Sequence, residues 1–321
     1  MNRASTTKLI LVDGLPGAGK SATAQRLWLH LLANGHRARW FHEHQADHPV
    51  CGYDEIDELL QGGPEEFGRQ VEARWAAFAS EGSEDGITIL EGSLFQITLG
   101  RLLGLGAAPQ EAEAVCQRIA AHLHGLSPLF IYLTQEDVVG ALRRVCDERE
   151  GWEEGIVELI GASPYGQSRR LEGFAGMVQF FTHQQQVAGR LFAELPWRKL
   201  AIECSAREWE QYYGQMADAL ELGPLQPLDR PFAELLPYLG RYRERGGTRE
   251  CVLTSDGGTL YFNQGYYFTS RLLRRNADAF CFIAYPLELV FQRDGDGRVE
   301  GMSGRGKISN HWIKDSQWIK V

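Results

Sequence analysis

The run Asp13-Gly14-Leu15-Pro16-Gly17-Ala18-Gly19-Lys20-Ser21 lies between two legible segments. Lys8–Val12 before it reads as a buried strand, and Ser21–Ala33 after it reads as a helix stopped at Asn34-Gly35. From Gly14 the run matches G-x-x-x-x-G-K-[ST], in the strand–turn–helix setting that the chemistry needs. Glycines let successive backbone N–H groups turn inward around phosphate oxygens, and the following helix presents its positive end to them. Lys20 is expected to reach the outer phosphates and the Ser21 hydroxyl to ligate Mg²⁺. Gly14, Pro16, Gly17, Ala18, Gly19, Lys20, Ser21 and Ala22 are therefore expected to hold a nucleoside triphosphate, read as ATP.

Around that loop, strands and helices alternate. Arg37–Phe41, Gly86–Glu91, Leu129–Leu133 and Lys199–Glu203 read as further strands. Helices are expected near Glu55–Leu60, Pro64–Ser80, Pro109–Leu126, Gln135–Arg149, Leu171–Leu195 and Arg207–Leu220, with an irregular segment containing Gly151, Trp152, Gly161 and Pro164. Such alternation predicts an α/β fold: a parallel sheet flanked by helices. Gly223-Pro-Leu-Gln-Pro-Leu-Asp-Arg-Pro231 resists both helix and central strand. It marks the expected boundary between a domain over residues 1–225 and a smaller all-β domain over 226–321. In the latter, Glu250–Thr254, Thr259–Phe262, Gly265–Ser270, Ala279–Ala284 and Leu287–Arg293 read as short strands. Asp256-Gly257 and Asp294–Gly297 read as turns between them.

The chain of 321 residues carries a net charge of −9, which argues against general binding to nucleic acid or to an anionic membrane. From Arg230 onward there are 14 Lys/Arg and 10 Asp/Glu, net +4, so the first part carries −13. Cations there must be placed locally to hold polyphosphate. No stretch approaches the ~18 apolar residues of a membrane span. Six cysteines are scattered without a C-x-x-C pair and read as reduced thiols. A cytoplasmic protein is the expectation.

The loop alone does not separate kinase, ATPase and GTPase. There is no Asn-Lys-x-Asp for reading guanine, and the third strand ends in a single acid, Glu91-Gly-Ser93, not an acidic pair. Here the chain resembles the small P-loop kinases, especially the deoxynucleoside and thymidylate kinase group. The resemblance spans residues 8–220. It rests on the Gly14–Ser21 loop, on Phe41-His-Glu43 ending strand two, on Glu91-Gly-Ser93 after strand three, and on Phe130-Ile-Tyr-Leu133 leading into an arginine-bearing helix. Ile202-Glu-Cys-Ser205 is similar to the family's last strand and base-side loop. Gly92 stands where the family has an arginine. The segment 150–167 and the residues after Glu43 do not follow the family's patterns.

Phosphoryl transfer needs positioning and charge stabilisation. Lys20, Glu43, Glu91 and Arg144 are the candidate catalytic residues. Glu43, at a strand's C-terminal end where ligands gather, is the candidate base. Glu91, with Ser21, is the candidate Mg²⁺-side acid. Asp13 either orients the loop or caps a turn. Arg143, Arg144 and Arg149 are lid candidates, with Arg143 and Arg149 assigned to the nucleotide. Since Arg143 and Arg144 point about 100° apart, one of the two is expected to face phosphate. His42, His44 and His48 near Glu43 fit no zinc pattern, and Arg293–Val299 lacks the last acid of a calcium loop, with Arg305 in its place.

The C-terminal part resembles, loosely, the lipocalin-like domains appended to serine-hydrolase-type proteins. That implies an accessory β-barrel with Tyr261, Phe262, Tyr266, Tyr267, Phe268, Phe282, Tyr285 and Phe291 mostly in its core. The whole reads as an ATP- and Mg²⁺-dependent phosphotransferase acting on a hydroxyl or phosphate of a small molecule, a nucleoside or nucleotide in the first place. The alternative is a regulatory P-loop ATPase or nucleotide switch with the β domain as its interaction module.

Overall fold

The computed structural model describes residues 6–45, 47–50, 59–82, 86–224, 230–264, 268–307 and 313–321. The chain forms two compact units: 1–43 with 48–224, and 44–47 with 225–321.

The first unit is built on five strands, β1 (Leu9–Gly14), β2 (Ala38–Phe41), β3 (Ile87–Glu91), β4 (Leu129–Thr134) and β5 (Arg198–Glu203). Their order is β2-β3-β1-β4-β5 and every pairing is parallel. β1 is central and wholly buried, which is why Leu-Ile-Leu-Val runs without alternation. The helices are α1 (Lys20–Ala33), α2 (Gly63–Glu81), α3 (Gly100–Gly104), α4 (Pro109–Leu123), α5 (Val138–Glu148), α6 (Trp152–Ala162), α7 (Pro164–Arg169), α8 (Gly173–Glu194) and α9 (Trp209–Ala219). Their apolar faces and the sheet share one core, with Trp75, Phe67, Phe95 and Phe130 fully buried in it. This is the expected P-loop α/β architecture.

Two segments depart from expectation. The stretch around Gly151–Pro164 is helical, as α6 and α7: Gly151 takes φ 73° to start one helix, and the Ser163 side chain caps the next. Ser93–Leu99, which carries no readable helical period, is a π-helical turn in which the Ile97 N–H donates to the Gly92 carbonyl five residues back (2.8 Å). The expected helix at Glu55–Leu60 falls outside the described residues except for Leu59 and Leu60, as do Cys51, Tyr266 and Tyr267.

The second unit opens with a one-turn helix, α10 (Phe232–Leu235), where only strands were expected. Eight antiparallel strands follow: β6 (Gly240–Glu244), β7 (Glu250–Ser255), β8 (Leu260–Gln264), β9 (Phe268–Asn276), β10 (Ala279–Phe282), β11 (Leu287–Arg293), β12 (Val299–Gly306) and β13 (Gln317–Lys320). They close into a barrel in which β13 pairs with β6. Tyr242, Phe262, Phe282, Leu289, Met302 and Trp318 are buried together in its core. Phe291 joins them, whereas Tyr285 is exposed. Asp294–Gly297 and Asp256-Gly257 are turns, each organised by the aspartate accepting backbone N–H groups.

Candidate functional site

The loop after β1 has the backbone of a phosphate cradle. Gly17 (φ 77°) and Gly19 (φ 81°) are left-handed, and a Cβ on Gly17 would stand 2.1 Å from Val145 Cγ2 of α5. A Cβ on Gly19 would meet the Trp209 ring at 2.5 Å. Only glycine satisfies both the dihedrals and the close approach. No side chain caps α1 and no acid sits in its first turn, so its N-terminal N–H groups are left for an anion. Lys20 is buried, and its ammonium donates to the Leu15 carbonyl at 3.0 Å, folded back over the loop. Ala18 is buried; Pro16, Gly19, Ser21 and Ala22 are half-buried and Gly17 is exposed.

Asp13 does not face the cradle as a free carboxylate. Its oxygens accept the N–H groups of Gly14 (3.2 Å), Leu94 (3.1 Å), Phe95 (2.7 Å) and Gln96 (3.0 Å). It is the cap of the π-helical turn, reached because β1 and β3 run in register, with Val12 opposite Glu91. Burial pushes its pKa up to about 6 against the pull of those N–H groups and Lys20.

Glu91, Glu43, Ser21 and Lys20 come together at the C-terminal ends of β2, β3 and the loop. Glu91 is buried, and neither of its oxygens has a hydrogen-bond partner. His42 Nε2 stands 3.4 Å from Oε1. Burial first, and then the charge of Glu43, raises the Glu91 pKa to about 8. The Ser21 hydroxyl and Lys20 pull it the other way, Ser21 from outside good hydrogen-bond geometry. Two orphaned carboxylate oxygens beside a hydroxyl are hard donors of the kind Mg²⁺ takes, so the residues fit this ion. Among the described residues no group of three or more His, Cys, Asp or Glu could hold a metal by itself, so any cation here must also draw on phosphate and water.

Glu43 is held by Gln96, whose Nε2 donates to Glu43 Oε2. Gly92 (φ 62°) makes room: a Cβ there would be 3.1 Å from that oxygen and 3.4 Å from Gln96 Oε1. Below them, His48 accepts the Val50 N–H on Nδ1 (3.4 Å), leaving Nε2 to donate to Ser93 Oγ (3.3 Å). Ser93 Oγ in turn donates to the Glu91 carbonyl (3.0 Å).

The arginines separate as their spacing implies. Arg143 stacks on Phe174 at 3.6 Å and pairs with Glu153 at 3.4 Å. Arg144 lines a small cavity with Gly17, Gln135, Cys204, Arg207 and Trp209. Arg144 Nη2 and Gln135 Oε1 are both buried there without a hydrogen-bond partner. Arg149 is exposed at the end of α5.

No protein-family model and no curated protein sequence matches the chain. Among solved structures it is similar to a thymidylate kinase from Candida albicans. The TM-score is 0.40 and the identity 14%, over 68% of this chain and 97% of that one. So distant a likeness transfers neither substrate nor activity, and the chemistry rests on the residues above.

Three residues of the site, Gln96, Gln135 and Trp209, have no counterpart in the sequence reading, whereas Cys204 lies in the Ile202–Ser205 segment read as a base-side loop. Gln96 lies in the π-helical turn, where no period announces which side chains share a face. Trp209, Gln135 and Cys204 meet Gly17 and Gly19 only through the parallel pairing of β1, β4 and β5. The one signal available for Trp209 was its place shortly after Ile202-Glu-Cys-Ser205, in the loop that follows a strand's C-terminal end.

Proposed function

We propose that the protein is a phosphotransferase that moves the γ-phosphoryl group of ATP to a hydroxyl of a small molecule, with a nucleoside as the leading acceptor class. The observation that carries this reading is the convergence of two carboxylates, Glu43 and Glu91, on the Lys20–Ser21 end of the loop. A switch needs the metal-side acid; a second carboxylate beside it suits an acceptor proton.

In this reading the backbone of Gly14–Gly19 and Lys20 bind the phosphates, and Arg144 faces them from the lid helix. Ser21 and Glu91 would hold Mg²⁺, which when bound neutralises charge on the β- and γ-phosphates. Glu43 takes the proton from the acceptor hydroxyl as its oxygen bonds to the γ-phosphorus. The bond from that phosphorus to the β,γ-bridging oxygen breaks and ADP leaves. α5, packed on Gly17 through Val145, excludes water that would otherwise take the phosphoryl group.

Replacing Glu43 by Gln removes the base while keeping its shape. The expected outcome is a roughly 10²–10⁴-fold loss of phosphoryl transfer with ATP binding retained. Transfer at the unaltered rate takes Glu43 out of the mechanism.

A further inference from the structure

Gln96 sits at the acceptor side of this site with one half of its amide committed and the other unused. Its backbone N–H is fixed by Asp13 Oδ1 at 3.0 Å. Its Nε2 donates to Glu43 Oε2. Its Oε1 is buried and accepts nothing. A buried amide oxygen left unpaired costs on the order of a hydrogen bond, and a ligand donor removes that cost. Glycine at 92 keeps a side chain off this oxygen, since a Cβ there would stand 3.4 Å from Oε1 and 3.1 Å from Glu43 Oε2.

The geometry points to Gln96 as the residue that sets acceptor specificity, an inference resting on the kinase reading above. Its Nε2 positions Glu43 against the reacting hydroxyl. Its Oε1 accepts a hydrogen bond from a second donor, a hydroxyl or N–H, on the same acceptor. The acceptor is therefore a donor-bearing alcohol.

The π-helical turn is what makes this possible. The five-residue hydrogen bond from Ile97 to Gly92 widens the turn, and such insertions in helices gather at functional sites. Asp13, at the end of the strand that feeds the phosphate loop, clamps the same turn. Acceptor contact and phosphate loop thus share one buried anchor.

The test is steady-state ADP release with the four ribonucleosides, their 2′-deoxy counterparts and their 5′-monophosphates. It is run on the full chain and on Gln96→Met, Gln96→Asn and Lys20→Ala variants. Met keeps the length and apolar stem of Gln but has no amide. The expected result is stimulation by a nucleoside and none by its monophosphate. In Gln96→Met, kcat/KM for that nucleoside falls roughly 10–100-fold, while KM for ATP stays unchanged. Gln96→Asn keeps the amide and recovers part of the loss. Where a nucleoside and its deoxy counterpart differ in the full chain, that difference shrinks in Gln96→Met. Unaltered nucleoside kinetics in Gln96→Met overturn the Gln96 assignment and leave the kinase reading standing. A better monophosphate than nucleoside overturns the acceptor class. An unsubstituted chain whose ADP release none of these acceptors stimulates overturns the nucleoside acceptor class, and the Gln96 assignment with it.

Discussion

At Glu91, burial and a like-charged neighbour act in the same direction. In the folded chain the carboxyl holds its proton up to about pH 8, against 4.5 for an ordinary glutamate. The folded state therefore binds more protons between those values. This group's contribution to stability is complete below pH 4.5 and is lost as pH rises towards 8. At about 1.4 kcal/mol per unit, the loss is on the order of a few kcal/mol. Glu91→Gln, which cannot ionise, should raise the melting temperature more at pH 8.5 than at pH 5; an equal change at both values contradicts the assignment. Asp13, raised to about 6, adds the same trend over a lower range. Lys20 is the other residue with a sharp outcome. Lys20→Ala should abolish the protection that ATP gives against thermal unfolding, because the ammonium is the full charge built into the loop. Undiminished protection would remove the loop from nucleotide binding.

Elements set how those residues meet. α5 packs against the loop: Val145 lies where Gly17 has no side chain, and Gly17 takes a dihedral that costs other residues about 1–2 kcal/mol. Gly17→Ala should thus lose more than the dihedral term alone in denaturant unfolding. A second change, Val145→Ala, should return only the steric part. Full recovery in the double variant would mean that the backbone there is unstrained. This level of structure was largely legible in the residues. β1 could be read because four consecutive apolar residues have no other good home, and the loop because its glycines, lysine and serine keep fixed spacing. β11 could be read from alternating Leu287, Leu289 and Phe291. β12 and β13 were not read, because Gly301, Gly304 and Gly306 break the apolar pattern of the first and four residues are too few for the second. α6 was masked by its glycines, Gly155 and Gly161, which weaken a helical reading without forbidding the helix. The π-helical turn has no sequence period to find. It takes shape only when Asp13, eighty residues earlier, supplies its cap. Glu43 and Glu91 were visible as strand-end acids, but their shared neighbour Gln96 was not.

For the whole molecule, two separate cores imply two separable sensitivities. The barrel's interior is filled: Phe262 packs on Phe282 at 5.3 Å and on Trp318 at 6.3 Å. Phe262→Ala should cost about 3–5 kcal/mol of that unit's stability. ATP should protect the other unit, whose core runs from Leu9 to Trp197, and calorimetry with and without ATP reads the two effects apart. The measurement that bears most directly on the function is ADP release from ATP·Mg²⁺, with and without pooled nucleosides and small hydroxylated metabolites, using Lys20→Ala as the blank. A Lys20-dependent rate that rises many-fold with one pool is the expected result. A slow rate indifferent to every pool would contradict it and leave a nucleotide switch in its place.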